Sequence, residues 1–200
     1  MTVQSVAPYK GNTVEVCIDG SPVYLHKDIV FDFGLKAGYE ITDEKYNEII
    51  CAALKKKAME RGLYLLDYRD HSYRELFEKL SKNYPDDVCF YVADRLTELG
   101  MINDRRYAQN LAAKFIKVKK YGPFRAVREM CLKGIEKSLA QEMVCVYSDQ
   151  TRDILYDLVC AKYSRYLTDD SGIKKVKNAL CRQGYGYDDI NAVIDMCLDE

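Results

Sequence analysis

Displaced against itself by 50 residues, this chain repeats its own apolar pattern, and that periodicity constrains its fold more than any other feature. Leu80 falls on Met130, and Met130 falls on Leu180; Cys131 falls on Cys181, Gly122 on Gly172 and Gly134 on Gly184. At a displacement of 51 the next stretch aligns: Val88, Leu139 and Ile190; Val92, Met143 and Ile194; Leu96, Tyr147 and Leu198. Within each copy the aligned positions are spaced i, i+4, i+8, the spacing of one buried stripe on a helix. The change of displacement by one residue falls in a loop, where an insertion costs little. A fixed period of this length is the mark of tandem supersecondary units that bury surface against their neighbours.

The reading is a mainly α chain of three tandem three-helix modules, over 52–101, 102–149 and 150–200, in an elongated, curved array. An N-terminal extension, 1–51, precedes them. In it, Thr13-Val14-Glu15-Val16-Cys17-Ile18 and Pro22-Val23-Tyr24-Leu25-His26 flank Asp19-Gly20, a strong signal for a β-hairpin. Asp28 is placed to cap a short helix through Phe33, with turns at Gly34 and Gly38. Thr42, followed by Asp43 and Glu44, opens a long helix running into the first module. Ser72-Tyr73-Arg74-Glu75 has the form of a capping box, Pro85 suits a first helical turn, and Gly100 and Gly134 suit left-handed helix ends.

Several function classes lack their residues. The 200-residue chain has 11 Gly and 4 Pro, few for an all-β sandwich. No window is long and apolar enough for a membrane helix, residues 1–10 have no signal-peptide core, and the expected compartment is the cytosol. The eight cysteines are nowhere closer than 14 residues, so no zinc-type spacing exists, and they read as small apolar residues in a reduced protein. With only His26 and His71, a histidine metal site or catalytic triad is disfavoured. Neither glycine-rich nucleotide loop is present. Asp86-Asp87, Asp169-Asp170 and Asp188-Asp189 could suggest acid–base chemistry, but each lies at an expected helix start, where carboxylates complement the helix dipole. The reading is a non-enzyme with no catalytic residues, metal or cofactor.

Charge separates the middle of the chain from the rest. The formal net charge is -1, yet residues 101–137 hold ten basic and three acidic side chains, between acidic flanks. Lys114, Lys117, Lys119, Lys120, Arg125 and Arg128 form the heart of this segment, with Arg105, Arg106 and Lys133 around it. Such a concentration attracts a polyanion or an acidic protein surface.

The stretch Leu96-Thr97-Glu98-Leu99-Gly100-Met101-Ile102-Asn103-Asp104-Arg105-Arg106-Tyr107-Ala108 resembles the central signature of the RecX family, L-x-x-L-G-[LMY]-I-[DN]-D-x-[RK]-[FY]-A. The resemblance continues through Gly122-Pro123-Phe124-Arg125 and Leu132-Lys133-Gly134-Ile135. Upstream, Tyr68-Arg69-Asp70-His71-Ser72-Tyr73-Arg74-Glu75-Leu76 is similar to Y-R-x-R-S-x-x-E-L. His71 replaces a usual Arg at a position expected to be exposed, and Asn83 replaces a usual Gly, where it could take the left-handed conformation. The signature itself reads as structural: Leu96 and Leu99 close the first core, Gly100 ends a helix, Asn103 caps the next, and Tyr107 and Ala108 begin its buried face.

The resemblance implies a monomeric cytoplasmic regulator that lies along the RecA filament on single-stranded DNA. It would restrain filament extension, ATP turnover and strand exchange, and so modulate recombination and repair. The expected contact residues are Lys114, Lys117, Lys119, Lys120, Arg125 and Arg128, with Arg69 and Arg74 in the first module. Tyr121 and Phe124, which flank Gly122-Pro123, are added as candidate aromatic anchors, with ordinary packing between helices expected more of Phe124 than of Tyr121. The alternative reading is direct nucleic-acid binding through the same basic segment, with DNA contact the weaker activity if both coexist.

Overall fold

A computed structural model describes residues 1–198, mostly helical, in two compact units. The first comprises Met1–Arg69 with Leu76–Leu99; the second comprises Asp70–Glu75 with the chain from Gly100 onward.

The first unit begins with a three-stranded antiparallel sheet in the order β1 (Val3–Lys10), β2 (Thr13–Ile18), β3 (Ser21–His26). The expected hairpin is β2–β3. Asp19 and Gly20 both have positive φ, 46° and 82°, as a two-residue turn matched to the strand twist requires. Strand β1 is an addition to the sequence reading. Its Gln4-Ser5-Val6-Ala7-Pro8 stretch alternates poorly, and pairing with β2 supplies the order that local propensity does not. Pro8 and Pro22 lie on the two edge strands, where a missing N–H breaks no central ladder. Val3, Val16, Ile18 and Leu25 point to one core with Ile29, Leu35, Ile41, Ile49 and Ala53.

Helix α1 (Lys27–Asp32) is capped by His26, whose ring nitrogen accepts from the Asp28 amide at 3.2 Å. Asp28 is therefore inside the first turn rather than the cap, where its carboxylate meets Lys56 at 2.7 Å. Thr42 caps α2 (Asp43–Tyr68) by accepting from the Lys45 amide at 3.2 Å. The first half of α2 buries Ile49 and Ala53 in the sheet core. Its second half meets α4 (Asp86–Glu98): a Cβ on Gly62 would lie 3.0 Å from the Leu96 side chain and 3.4 Å from that of Val92. Val88, Cys89, Val92, Ala93 and Leu96 form the buried stripe of α4. Leu99 is 53% exposed, so it does not close this core as expected; it is the C-cap residue, beyond the stripe, and Gly100 after it is left-handed at φ 70°. Asn83 is not among the positive-φ residues, so the turn after α3 (Tyr73–Leu80) does not use the expected left-handed cap.

In the second unit, α5 (Asp104–Ala113), α6 (Pro123–Leu132) and α7 (Lys137–Cys145) surround Tyr107, Leu111, Phe115, Ile116, Met130 and Met143. Helices α8 (Thr151–Lys162), α9 (Asp170–Gln183) and α10 (Tyr187–Leu198) surround Leu155, Val159, Val176, Leu180, Tyr185, Ile190 and Ile194. The repeated positions behave alike. Leu80, Met130 and Leu180 are fully buried, and Val92, Met143 and Ile194 are buried as a set. Of the third set, Leu96 is buried, Tyr147 packs at the edge of its core, and Leu198 is 48% exposed.

Candidate interaction surface on the basic segment

The basic segment owes its shape to an irregular helix exit. Asn103 caps α5, its side-chain oxygen accepting from the Arg106 amide at 2.8 Å. The Asp104 carboxylate accepts from the Tyr73 amide at 2.9 Å; burial holds its pKa above the ordinary aspartate value, and that amide partly opposes the shift. After Ala113 the helix widens into a π turn, Lys114–Val118, with the Lys119 amide donating to the Lys114 carbonyl at 3.0 Å. The added residue lets Phe115 and Ile116 both turn inward, while Lys114, Lys117, Val118 and Lys119 face solvent.

Lys120 then adopts φ 53°, a left-handed conformation that costs a non-glycine residue about 1 kcal/mol. Two bonds hold it there. The Tyr121 amide donates to the Phe115 carbonyl at 2.9 Å, and the Tyr185 hydroxyl donates to the Lys120 carbonyl at 3.1 Å. Burial pushes the Tyr185 pKa up to about 12, so this donor keeps its proton at neutral pH. Tyr121 stacks on Phe115 with centroids 5.8 Å apart, and the Arg125 guanidinium lies 4.0 Å from the Tyr121 centroid.

Immediately beyond, two helix ends meet. The Gly122 amide donates to the Gln183 carbonyl at 2.9 Å, and the Phe124 amide donates to the Gly184 carbonyl at 3.1 Å. The orphan N–H groups at the start of α6 thus satisfy orphan carbonyls at the end of α9, with opposite dipole ends in contact. The approach excludes side chains. A Cβ on Gly122 would fall 2.2 Å from Gly184 and Tyr185 backbone, and one on Gly184 would fall 2.4 Å from Arg125. The same joint occurs 50 residues earlier. The Ser72 hydroxyl donates to the Lys133 carbonyl at 2.7 Å and accepts from the Glu75 amide at 3.0 Å, while a Cβ on Gly134 would fall 2.4 Å from Ser72 Oγ.

The candidate cations divide into two groups. Lys114, Lys117, Lys119 and Lys120 share one seven-residue turn and meet no carboxylate within 4.0 Å among the described residues; Lys117 lies 5.1 Å from the Tyr147 ring centroid. The arginines are engaged: Arg125 with Tyr121 and, at 3.7 Å, Glu129; Arg128 with Glu129 at 3.3 Å. Arg105 pairs with Glu142, Arg106 with Asp70 at 3.7 Å, and Lys133 with Glu75 at 3.8 Å. Arg69 is the C-cap of α2, in the first unit. Arg74 is exposed, with its Cβ 3.0 Å from the Gly134 Cβ position at the earlier joint.

Two expectations are reversed. His71 is 3% exposed, not on the surface, because the segment Asp70–Glu75 is folded into the joint around Gly134. Phe124 is 72% exposed, whereas Tyr121 is the packed ring. On α6 the residues at i, i+4 and i+8, Phe124, Arg128 and Leu132, are all exposed, with Leu132 at 73%. This apolar–basic–apolar stripe was legible in principle, since it is out of phase with the buried Ala126 and Met130.

The carboxylate pairs sit in helix first turns: Asp86 and Asp87 on α4, Asp170 on α9 behind the capping Asp169, Asp188 and Asp189 on α10. Asp189 is further paired with Arg152 at 2.7 Å. Among the described residues no group of three His, Cys, Asp or Glu could hold a metal ion, and no helix is long and apolar enough to cross a membrane.

Residues 58–96 match the family described as RecX, first three-helix domain. The regulatory protein RecX of Clostridioides difficile (strain 630) is 28% identical over 181 residues, covering 88% of this chain and 85% of that protein. That of Bacillus subtilis (strain 168) is 29% identical over 172 residues, covering 84% of this chain and 65% of that protein. A crystal structure of regulatory protein RecX aligns with TM-score 0.75 at 20% identity, over 100% of this chain and 99% of the other. The crystal structure of RecX from Lactobacillus salivarius aligns with TM-score 0.67 at 25% identity, over 73% of this chain and 97% of the other.

Proposed function

We propose that this chain is a regulatory protein of the RecX family, which its residues 58–96 and its relatives at 28% and 29% identity support, and that it binds the RecA filament on single-stranded DNA and restrains its extension, ATP turnover and strand exchange. The observation that carries the reading is the lysine turn. Four ammonium groups stand on seven residues without a carboxylate partner among the described residues, while the arginines around them are paired within the fold. An unpaired cluster of this kind contributes little to the stability of its own chain and is available to an acidic surface or to phosphates. The exposed Phe124 and Leu132 flank Arg128 on α6 and add apolar contact area of the kind that carries binding energy. Cytoplasmic action as a monomer, without catalytic chemistry, is part of the same proposal.

The test is charge reversal of Lys117, Lys119 and Lys120 to Glu, with ATP turnover by the cognate RecA on single-stranded DNA as the readout. The parent chain is expected to suppress turnover, with inhibition weakening as salt rises. The folded triple variant is expected to need at least tenfold more protein for the same suppression. Inhibition equal to the parent's would remove the turn from the contact. Direct DNA binding is the second reading, favoured by the same lysines because they suit phosphates. Fluorescence anisotropy of labelled single strands without RecA separates the two: binding as tight as filament inhibition would put DNA first.

A further inference from the structure

We infer that Cys160 and Cys197 form a reversible intrachain disulfide that clamps α8 to α10. The two sulfurs are 3.9 Å apart, on helices whose facing residues are otherwise those of a packed core, among them Leu155, Val159, Val193 and Ile194. Two side-chain pairs cross between these helices with the same separation of 37: Arg152 with Asp189, at 2.7 Å, and Cys160 with Cys197. Each helix advances eight residues between the pairs, about 12 Å at the α-helical rise. The helices therefore run parallel and in register. The facing of the two thiols is fixed at one end by an ion pair and in between by buried side chains, rather than by a chance rotamer.

Access suits the chemistry. Cys160 is exposed and Cys197 half-buried on α10. Cys89 is buried in the α4 stripe, the Cys17 thiol donates to Gln4 Oε1 at 3.2 Å, and Cys145 and Cys181, although exposed, face no other thiol among the described residues. Closing the gap to a disulfide length of about 2.05 Å takes side-chain rotation and a small helix adjustment. The oxidant is a peroxide. The Cys160 thiol gives its proton to solvent, the thiolate attacks one peroxide oxygen, the O–O bond breaks, and Cys160 becomes a sulfenic acid as hydroxide leaves and takes up that proton as water. The Cys197 thiol likewise releases its proton, its thiolate attacks that sulfur, the S–O bond breaks, and the departing hydroxide is protonated to a second water. Both sulfurs have lost one electron each and the peroxide has gained two. A dithiol reverses the reaction by thiol–disulfide exchange.

The test uses the full reduced chain treated with hydrogen peroxide near equimolar amounts, followed by intact mass and tryptic mapping without reduction. The expected result is a loss of 2 Da in a monomer, a fall in titratable thiols from eight to six, and one linked species joining the tryptic peptides 153–162 and 183–200. Dithiothreitol should restore all eight. Cys160→Ser and Cys197→Ser should each abolish the 2 Da loss, and in Cys197→Ser the remaining Cys160 should over-oxidise instead. A link between other peptides, an intermolecular dimer, or oxygen addition to Cys160 in the parent chain without a link would overturn the assignment. The parent mapping stands alone if either variant fails to fold.

Discussion

Three single glycine-to-alanine substitutions resolve what the joint between α6 and α9 is worth. Gly100 is left-handed at φ 70° with nothing within 4 Å of its Cβ position, so Gly100→Ala tests backbone conformation alone and should cost about 1 kcal/mol. Gly122 has an ordinary φ of -68°, so Gly122→Ala tests close approach alone. Its Cβ would sit 2.2 Å from Gly184 and Tyr185 backbone, atoms that cannot swing aside as a side-chain tip does. Relief requires the two helix ends to separate. That weakens the Gly122–Gln183 and Phe124–Gly184 hydrogen bonds, each worth about 1 kcal/mol, and adds overpacking of about 1–3 kcal/mol. The expected cost is about 3–5 kcal/mol by these terms. Gly184→Ala carries both burdens, φ 91° and a 2.4 Å approach to Arg125, and should cost about 4–6 kcal/mol. Because Gly122 and Gly184 share one contact, the double variant should cost clearly less than the sum. Urea unfolding followed at 222 nm gives the stabilities, and hydrogen exchange at the Gly122 and Phe124 amides localises them. If Gly122→Ala unfolds within about 0.5 kcal/mol of the parent, the close approach is not a structural requirement and the reasoning fails.

Two further outcomes follow from the basic segment. Arg125→Ala should lower stability by about 1–2 kcal/mol in urea unfolding, through loss of its packing on Tyr121, whereas Lys119→Ala should change it by less than about 0.5 kcal/mol; equal effects would contradict the division of the cations into paired and available groups. Asp104 has a folded pKa raised by burial, so its contribution is fully present below the ordinary aspartate value of 3.8 and is lost as pH rises through the folded value. Asp104→Asn should remove that falling step from a stability–pH profile while its side-chain oxygen still accepts from Tyr73, and a step of unchanged size in the variant would assign it to another group.

The apolar period was legible because burial is periodic: each of Leu80, Met130 and Leu180 sits where a helix must face inward. Caps were legible where a single side chain does the work, as at Thr42, Ser72 and Asn103. Alignment by period was less informative about backbone. It equated Gly122 with Gly172, yet Gly122 precedes α6 and faces Gly184, whereas Gly172 lies inside the first turn of α9, beside the Tyr166 carbonyl. Strand β1 depends on pairing partners elsewhere in the chain, and the buried His71 lies in a segment whose Ser72 and Glu75 meet Lys133 and Gly134, so neither has a local signal. The lysine cluster was visible as charge, and the i,i+4 spacing of Arg125 and Glu129 on α6 was local, but the pairing of Arg105, Arg106 and Lys133 depended on Glu142, Asp70 and Glu75 arriving from other elements. The Cys160–Cys197 approach was hidden for the same reason, since it joins residues 37 apart rather than neighbours in sequence.

The joints also separate residues that make the fold from residues left over for a partner. Gly122, Gly134, Ser72 and Gly184 are fixed by backbone contact, and Arg125, although basic and central, is held by Tyr121 and Glu129. A motif read from the sequence mixes these roles, because a residue that cannot change for steric reasons looks as constrained as one that touches a ligand. Exposure and unspent charge distinguish them. By that criterion the surface offered outward is the turn bearing Lys114, Lys117, Lys119 and the half-buried Lys120, with the exposed Phe124 and Leu132 on the adjoining helix. The joint sets the direction of that surface: Tyr185 and Gly184 hold Lys120 left-handed and Phe124 at the first turn of α6. Loosening the joint should therefore weaken partner binding through the turn's geometry even where every lysine is retained.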